Sequence, residues 1–179
     1  MEPIRLRTGR EVWIRPIAPS DAPALKLAYA RLSPRSKYQR FLASKPHLSA
    51  ADTRYLTEVD GTDHHALVAT PAGEPDLIIG VGRFVRLSDD PLTAEFAIVV
   101  GDDYQGEGLA TELLDRLATA ARAGGVERFT ATMLAENRPA HRLMHRLAAG
   151  GLVPHGDVAT RAQESHHGPI DELVVDLAA

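Results

Sequence analysis

Gln105-Gly106-Glu107-Gly108-Leu109-Ala110 is the stretch on which the reading of this chain turns. It lies between an apolar strand-like run, Phe96-Ala97-Ile98-Val99-Val100, and a helix-like run from about Thr111 to Arg122. A strand that turns through small residues into a helix leaves several backbone N–H groups unpaired and aimed one way, with the positive end of the helix dipole behind them. That is a phosphate cradle. Gly106 and Gly108 allow close backbone approach, and Ala110 keeps the helix start narrow. The bland alternative is a tight turn without a ligand. The spacing of Gln105, Gly108 and Ala110 after a β run and before a helix tells against it. A dinucleotide fingerprint does not fit, because the loop falls late in the chain. A nucleotide P-loop does not fit either, because no Gly-Lys-Ser/Thr follows.

Upstream, Val12 to Ile17 reads as a first strand ended by proline chemistry, and Ser20 or Asp21 can cap a helix to about Leu32. Ser33-Pro34 breaks that helix and opens a second, with Tyr38, Phe41 and Leu42 on one inward face. Ser49 to Asp52 opens a third short helix through about Val59. The period then changes to that of strands at His65–Ala69, Leu77–Val85 and Thr93–Val100, an antiparallel meander. Gly80 and Gly82 suggest a bulge. Beyond the loop come the long helix closed by Gly124-Gly125, a strand from Val126 to Leu134, a helix from Asn137 to Ala148 and a last strand from Ile170 to Leu177. Gly151 to Pro169 is polar and aperiodic, and reads as a loose loop with a strand near Val153.

The 179 residues suit one domain spanning the whole chain. A formal net charge of -4 gives no support for nucleic-acid binding, and no cysteine is present for a disulfide, a thiolate metal site or a thiol nucleophile. No run reaches membrane-spanning length, which makes a cytoplasmic protein without membrane partners the default. His64-His65 and His166-His167 look like metal pairs, but neighbouring strand residues point to opposite faces, so no metal is expected. His141 and His145 lie four apart without an acidic companion and read as exposed helix residues.

Gln105-x-x-Gly108-x-Ala110 resembles the Gln/Arg-x-x-Gly-x-Gly/Ala signature of the GCN5-related N-acetyltransferases (GNAT). The element order above is also that family's order. The resemblance implies an α/β (α+β sandwich) fold with a mixed, mostly antiparallel central sheet flanked by helices. It implies acetyl-CoA as co-substrate, with the pyrophosphate on Gln105, Gly106, Gly108, Leu109 and Ala110. The pantetheine arm would add to the preceding strand at Ile98, Val99 and Val100. Glu136-Asn137-x-x-Ala140 resembles the family's Glu-Asn-x-x-Ala segment, which implies that Asn137 contacts the coenzyme as well as capping its helix. Two departures stand out. Glu107 occupies a place where the family usually has a basic residue, so it is expected to point to solvent. Met144 aligns with the tyrosine that protonates the departing thiolate, which leaves His141, His145, Tyr104 or water for that step.

Glu95 stands in a strand otherwise almost free of charge and alternates onto one face with Ala97 and Val99. Set against buried apolar surface it would be desolvated and its pKa raised. Such a base can take the proton from an amine whose pKa lies near ~10.4. Glu95 is therefore the candidate catalytic base, as a glutamate in a similar strand is in the protein-lysine members of the family. The alternative is an edge glutamate facing solvent. Leu32-Ser33-Pro34-x-Ser36-x-Tyr38-x-Arg40-Phe41 is similar to the acetyltransferase domains of bacterial protein-lysine acetyltransferases, which implies a protein lysine as acceptor, with a small amine as the alternative. The family likeness is compatible with a homodimer. A coenzyme A-binding sensor that has lost catalysis is the second reading, favoured by Glu107 and Met144.

Overall fold

The structure, a computed structural model, describes residues 3–149 and 162–177. Eight strands form one sheet in the order β1-β2-β3-β4-β5-β6-β8-β7. They are β1 (Ile4–Arg5), β2 (Glu11–Pro16), β3 (His64–Pro71), β4 (Gly80–Arg86), β5 (Thr93–Val100), β6 (Arg128–Leu134), β7 (Ala162–His167) and β8 (Ile170–Asp176). All neighbours are antiparallel except β5 and β6. The helices are α1 (Ala22–Arg31), α2 (Pro34–Phe41), α3 (Ala50–Thr57), α4 (Leu109–Ala123) and α5 (Arg138–Ala148). No described helix is long and apolar enough to cross a membrane.

Alternation along the central strands sends one set of side chains to each face. Leu67, Ala69, Phe84, Phe96 and Phe129 pack with Leu113, Leu117 and Met144 of α4 and α5. Ala66, Val68 and Val81 pack with Leu25, Tyr29 and Leu56 of α1 and α3. The helix α4 contributes Leu109, Leu113, Leu114 and Leu117, each at 1% exposure or less. Full burial stabilises by about 1.5–3 kcal/mol per leucine.

The meander of β3, β4 and β5 forms as expected, but Gly80 and Gly82 mark no bulge. Gly82 sits in regular register between Leu67 and Ile98. It lets α4 lie close: a Cβ there would fall 2.9 Å from Leu117 Cδ1 and 3.3 Å from Leu113 Cβ. We expect Gly82→Val to overpack this interface and cost about 1–3 kcal/mol. A urea midpoint equal to that of the parent chain would contradict this.

Two other expectations change. The strand β7 forms where a loose loop was expected, pairing with β8 through the turn at Gly168-Pro169. The strand expected near Val153 lies outside the described residues. Tyr38 is 47% exposed rather than inward, while Ser36 of the same helix is buried. Phe41 does turn in, edge-on to Tyr29 at 5.7 Å between ring centroids.

Candidate active site

The parallel pair β5–β6 is registered at only three positions: Thr93 with Arg128, Ala94 with Phe129 and Glu95 with Thr130. Beyond Glu95, β5 stays with β4 as far as Val100, whereas β6 stays with β8 as far as Leu134. The two strands therefore part, and a wedge opens between them with Glu95 at its apex. Leu87 N–H donates to the Thr93 carbonyl at 2.9 Å and Gly101 N–H to the Ile79 carbonyl at 2.8 Å. Antiparallel alternation then assigns the odd-numbered residues of β5 to the ladder with β4. Ile98 and Val100 turn their main-chain groups into the wedge, while those of Val99 face β4.

At the open end of the wedge the chain makes a short 3-10 turn, Asp102–Tyr104, and enters the glycine loop. Gly106 and Gly108 have φ of +78° and +98°, and Gly108 is the N-cap of α4. The backbone N–H groups of Gly106, Glu107, Gly108, Leu109 and Ala110 meet no acceptor among the described residues. Five such donors at the positive end of a 15-residue helix form an anion site. The Gln105 side chain does a different job. Its Nε2 donates to the Val100 carbonyl at 3.2 Å and to Ser36 Oγ at 3.4 Å, fixing the loop to β5 and α2.

Asp102 strengthens that link. It accepts from Ser33 N–H at 2.9 Å, Ser33 Oγ at 2.9 Å and Ser36 Oγ at 2.7 Å. Burial alone would raise its pKa, but these bonds hold it below the ordinary carboxylate value. The two serines of the Leu32–Phe41 segment thus dock the N-terminus of α2 on the approach to the loop.

Glu107 does not point to solvent. It is 9% exposed and turns back to the N-terminal hairpin, where Oε2 accepts from Thr8 Oγ1 at 2.6 Å and Oε1 from Arg10 Nη1 at 3.1 Å. Arg7 N–H donates to the Glu107 carbonyl at 3.1 Å. These contacts set the Arg7 side chain beside the cradle: its Nε lies 3.8 Å from where a Cβ on Gly108 would be. The carboxylate that looked unfavourable for a diphosphate is neutralised, and the hairpin brings positive charge in its place.

Asn137 caps α5, its Oδ1 accepting from Ala140 N–H at 3.4 Å. Met144 is 1% exposed and packed in the core. His141 is not an exposed helix residue, since its Nε2 lies 3.0 Å from Asp171 Oδ2 on β8. His145 is exposed. Tyr104 is partly buried with the Arg10 guanidinium 4.8 Å above its ring.

Glu95 shares its face with Ala97 and Val99, but it is exposed rather than set against buried apolar surface. It lines a cavity of 260 Å³ on the α1–α3 face, together with Arg40, Phe41, Tyr55, Arg83 and Ala97. The expectation of a desolvated glutamate is corrected: alternation fixed its face, and the cavity beneath α2 and α3 opens that face to solvent. Arg83 was not foreseen. It is 4% exposed, with Nη1 donating to His64 Nε2 at 2.9 Å and Nη2 to the Leu56 carbonyl at 3.1 Å. His64 and His65 do face opposite ways, His65 stacking on Phe84 at 5.5 Å.

Burial and, to a smaller degree, the Arg83 charge bring the His64 pKa down to about 4, with Asp60 offsetting part of the drop. Between about pH 6.5 and 4 the unfolded chain binds a proton that native His64 refuses. Its contribution is complete above pH ~6.5 and lost as pH falls toward 4. Because His64 is only half-buried, we expect a loss of about 1–2 kcal/mol over that window. Chemical denaturation at pH 7.5 and 4.5 should show it, with a shallower dependence in His64→Asn. Equal pH slopes in the two proteins would contradict the assignment.

Comparison with known proteins agrees with this geometry. The acetyltransferase (GNAT) domain model matches residues 11–149. Acetyltransferase Pat of Mycolicibacterium smegmatis is 36% identical over 147 residues, which is 82% of this chain and 44% of that protein. The chain thus spans less than half the length of that relative. Acetyltransferase PA5475 of Pseudomonas aeruginosa is 31% identical over 134 residues, 74% of this chain and 72% of that protein. The GNAT domain of S. lividans PAT superposes with a TM-score of 0.81 at 31% identity, covering 97% of this chain and 95% of that one. With the splayed parallel pair, the glycine cradle and these matches together, the chain belongs to the GNAT family of acetyltransferases.

Proposed function

We propose that this protein moves an acetyl group from acetyl-CoA to a primary amine by direct attack within a ternary complex. The observation that carries the reading is the wedge between β5 and β6, which ends in five amide hydrogens that meet no acceptor among the described residues. In this reading the diphosphate sits at Gly106–Ala110, and the pantetheine arm bonds to the main chain of Ile98 and Val100. The thioester then reaches the apex, beside Glu95 and the cavity. An ammonium acceptor in the cavity loses a proton to Glu95, directly or through water. The free amine attacks the thioester carbonyl carbon, a C–N bond forms, and the C–S bond breaks. A backbone N–H of β5 polarises the carbonyl oxygen as charge develops. The thiolate leaves as an anion, and because the buried Met144 has no proton to give, water relays to it the second proton that the nitrogen releases as the amide forms.

The acceptor reading of a protein lysine is supported by the Leu32–Phe41 segment, whose helix contributes Arg40 and Phe41 to the cavity. The test is thiol release from acetyl-CoA with a panel of lysine peptides and small amines. We expect turnover with at least one acceptor class. Saturable coenzyme binding with no thiol release across the panel would favour the second reading, a binding module without turnover, to which Met144 lends weight.

A further inference from the structure

The cavity beside Glu95 has a charge problem that the reaction alone does not explain. Arg83 is almost wholly buried, yet both groups it contacts, the His64 ring and the Leu56 carbonyl, are neutral. A guanidinium has five N–H donors, and two of them are used among the described residues. Arg40 lines the same cavity and lies 4.8 Å above the Phe41 ring. Among the described residues, no carboxylate forms an ion pair with either arginine. Of the acidic residues lining the cavity, Asp52 is committed to Lys45 Nζ at 2.7 Å and to Ser49, which leaves Glu95 alone. Burial and the Arg40 charge bring the Arg83 pKa down to about 9, as expected of neighbouring cations short of a counter-ion.

A buried cation without an anion is costly, and removing the cost takes a ligand that supplies one. Two guanidiniums would also repel an acceptor that carried only an ammonium group. Guanidinium matches carboxylate in shape as well as charge. We propose that the acceptor is an amine carrying a carboxylate nearby, bound with its carboxylate on Arg40 and Arg83 and its ammonium facing Glu95. The proposal rests on reading this cavity as the acceptor site. The carboxylate has two sources, the α-carboxylate of a free amino acid or an acidic side chain flanking a protein lysine. The chemistry of transfer is unchanged: the ammonium gives one proton to Glu95, the amine bonds to the acetyl carbon as the C–S bond breaks, and the second nitrogen proton passes through water to the departing thiolate.

Two matched pairs of acceptors test this. L-lysine and cadaverine differ only in the carboxylate. Blocked lysine pentapeptides flanked by glutamate or by glutamine differ only in charge. Binding is measured by calorimetry on the protein saturated with coenzyme A, and kcat/KM by thiol release from acetyl-CoA. We expect the carboxylate-bearing member of one pair to lead by about tenfold or more in both measurements, and the pair that shows it identifies the source. Arg83→Gln and, separately, Arg40→Gln should shrink that ratio toward one, a readout that loss of folding would not mimic. Equal or better binding by cadaverine and by the glutamine peptide would overturn the proposal. Carboxylate-selective binding without thiol release would uphold it while the transfer reading failed.

Discussion

Gly108→Val is expected to weaken coenzyme A binding by at least ~100-fold while the far-ultraviolet circular dichroism stays that of the folded protein. Gly108 is the N-cap of α4 with φ of +98°, a conformation that costs an L-residue with a branched side chain at least ~1–2 kcal/mol. Relief of that strain rotates the peptide units on either side, and these carry the N–H groups that form the cradle. A side chain there would also meet Arg7, whose Nε lies 3.8 Å from the Cβ position. Gly108 itself adds no side chain to the hydrophobic core, so folding should survive. Unchanged affinity in the variant would mean that the loop does not hold the diphosphate.

The second large effect concerns Glu95. Glu95→Gln keeps the shape of the side chain and removes its basicity. Loss of a general base costs about 10²–10⁴-fold in rate. We expect kcat to fall by at least ~100-fold with the acetyl-CoA dissociation constant unchanged, because Glu95 faces the acceptor cavity rather than the cradle. Raising the pH, which deprotonates the amine without help, should recover part of the loss. Equal loss of turnover and coenzyme affinity, or no loss of either, would remove Glu95 from this role.

Much of the scaffold was legible in the sequence because its signals are local. The Thr93–Val100 strand appears with the same bounds, and the glycine pair at 106 and 108 announces the turn into α4. Asn137 was readable as a cap, and the Oδ1 bond to Ala140 bears that out. What escaped depends on contacts distant in sequence. Glu107 lies 97 and 99 residues from the Arg10 and Thr8 groups that neutralise it. No local pattern reports such a pairing. The strand β7, Ala162–His167, lacks alternation and exists because it pairs with β8, with Gly168-Pro169 as the only turn signal. Arg83 shows in the sequence as a lone charge inside an apolar strand, which is a usable clue. Its meaning emerges only when α2, α3 and β3 bring Arg40, Leu56 and His64 around it. Glu95 shows the limit most clearly: periodicity assigns a face, but whether that face is packed or hollow depends on how the helices lie across it.

In the proposed reaction the parting of β5 from β6 is the seat of an acyl-thioester carrier. Titration of the protein with acetyl-CoA in a calorimeter tests this most directly. We predict saturable binding at one equivalent, lost in Gly108→Val and retained in Glu95→Gln. No heat of binding at millimolar acetyl-CoA, from protein shown to be folded, would contradict it.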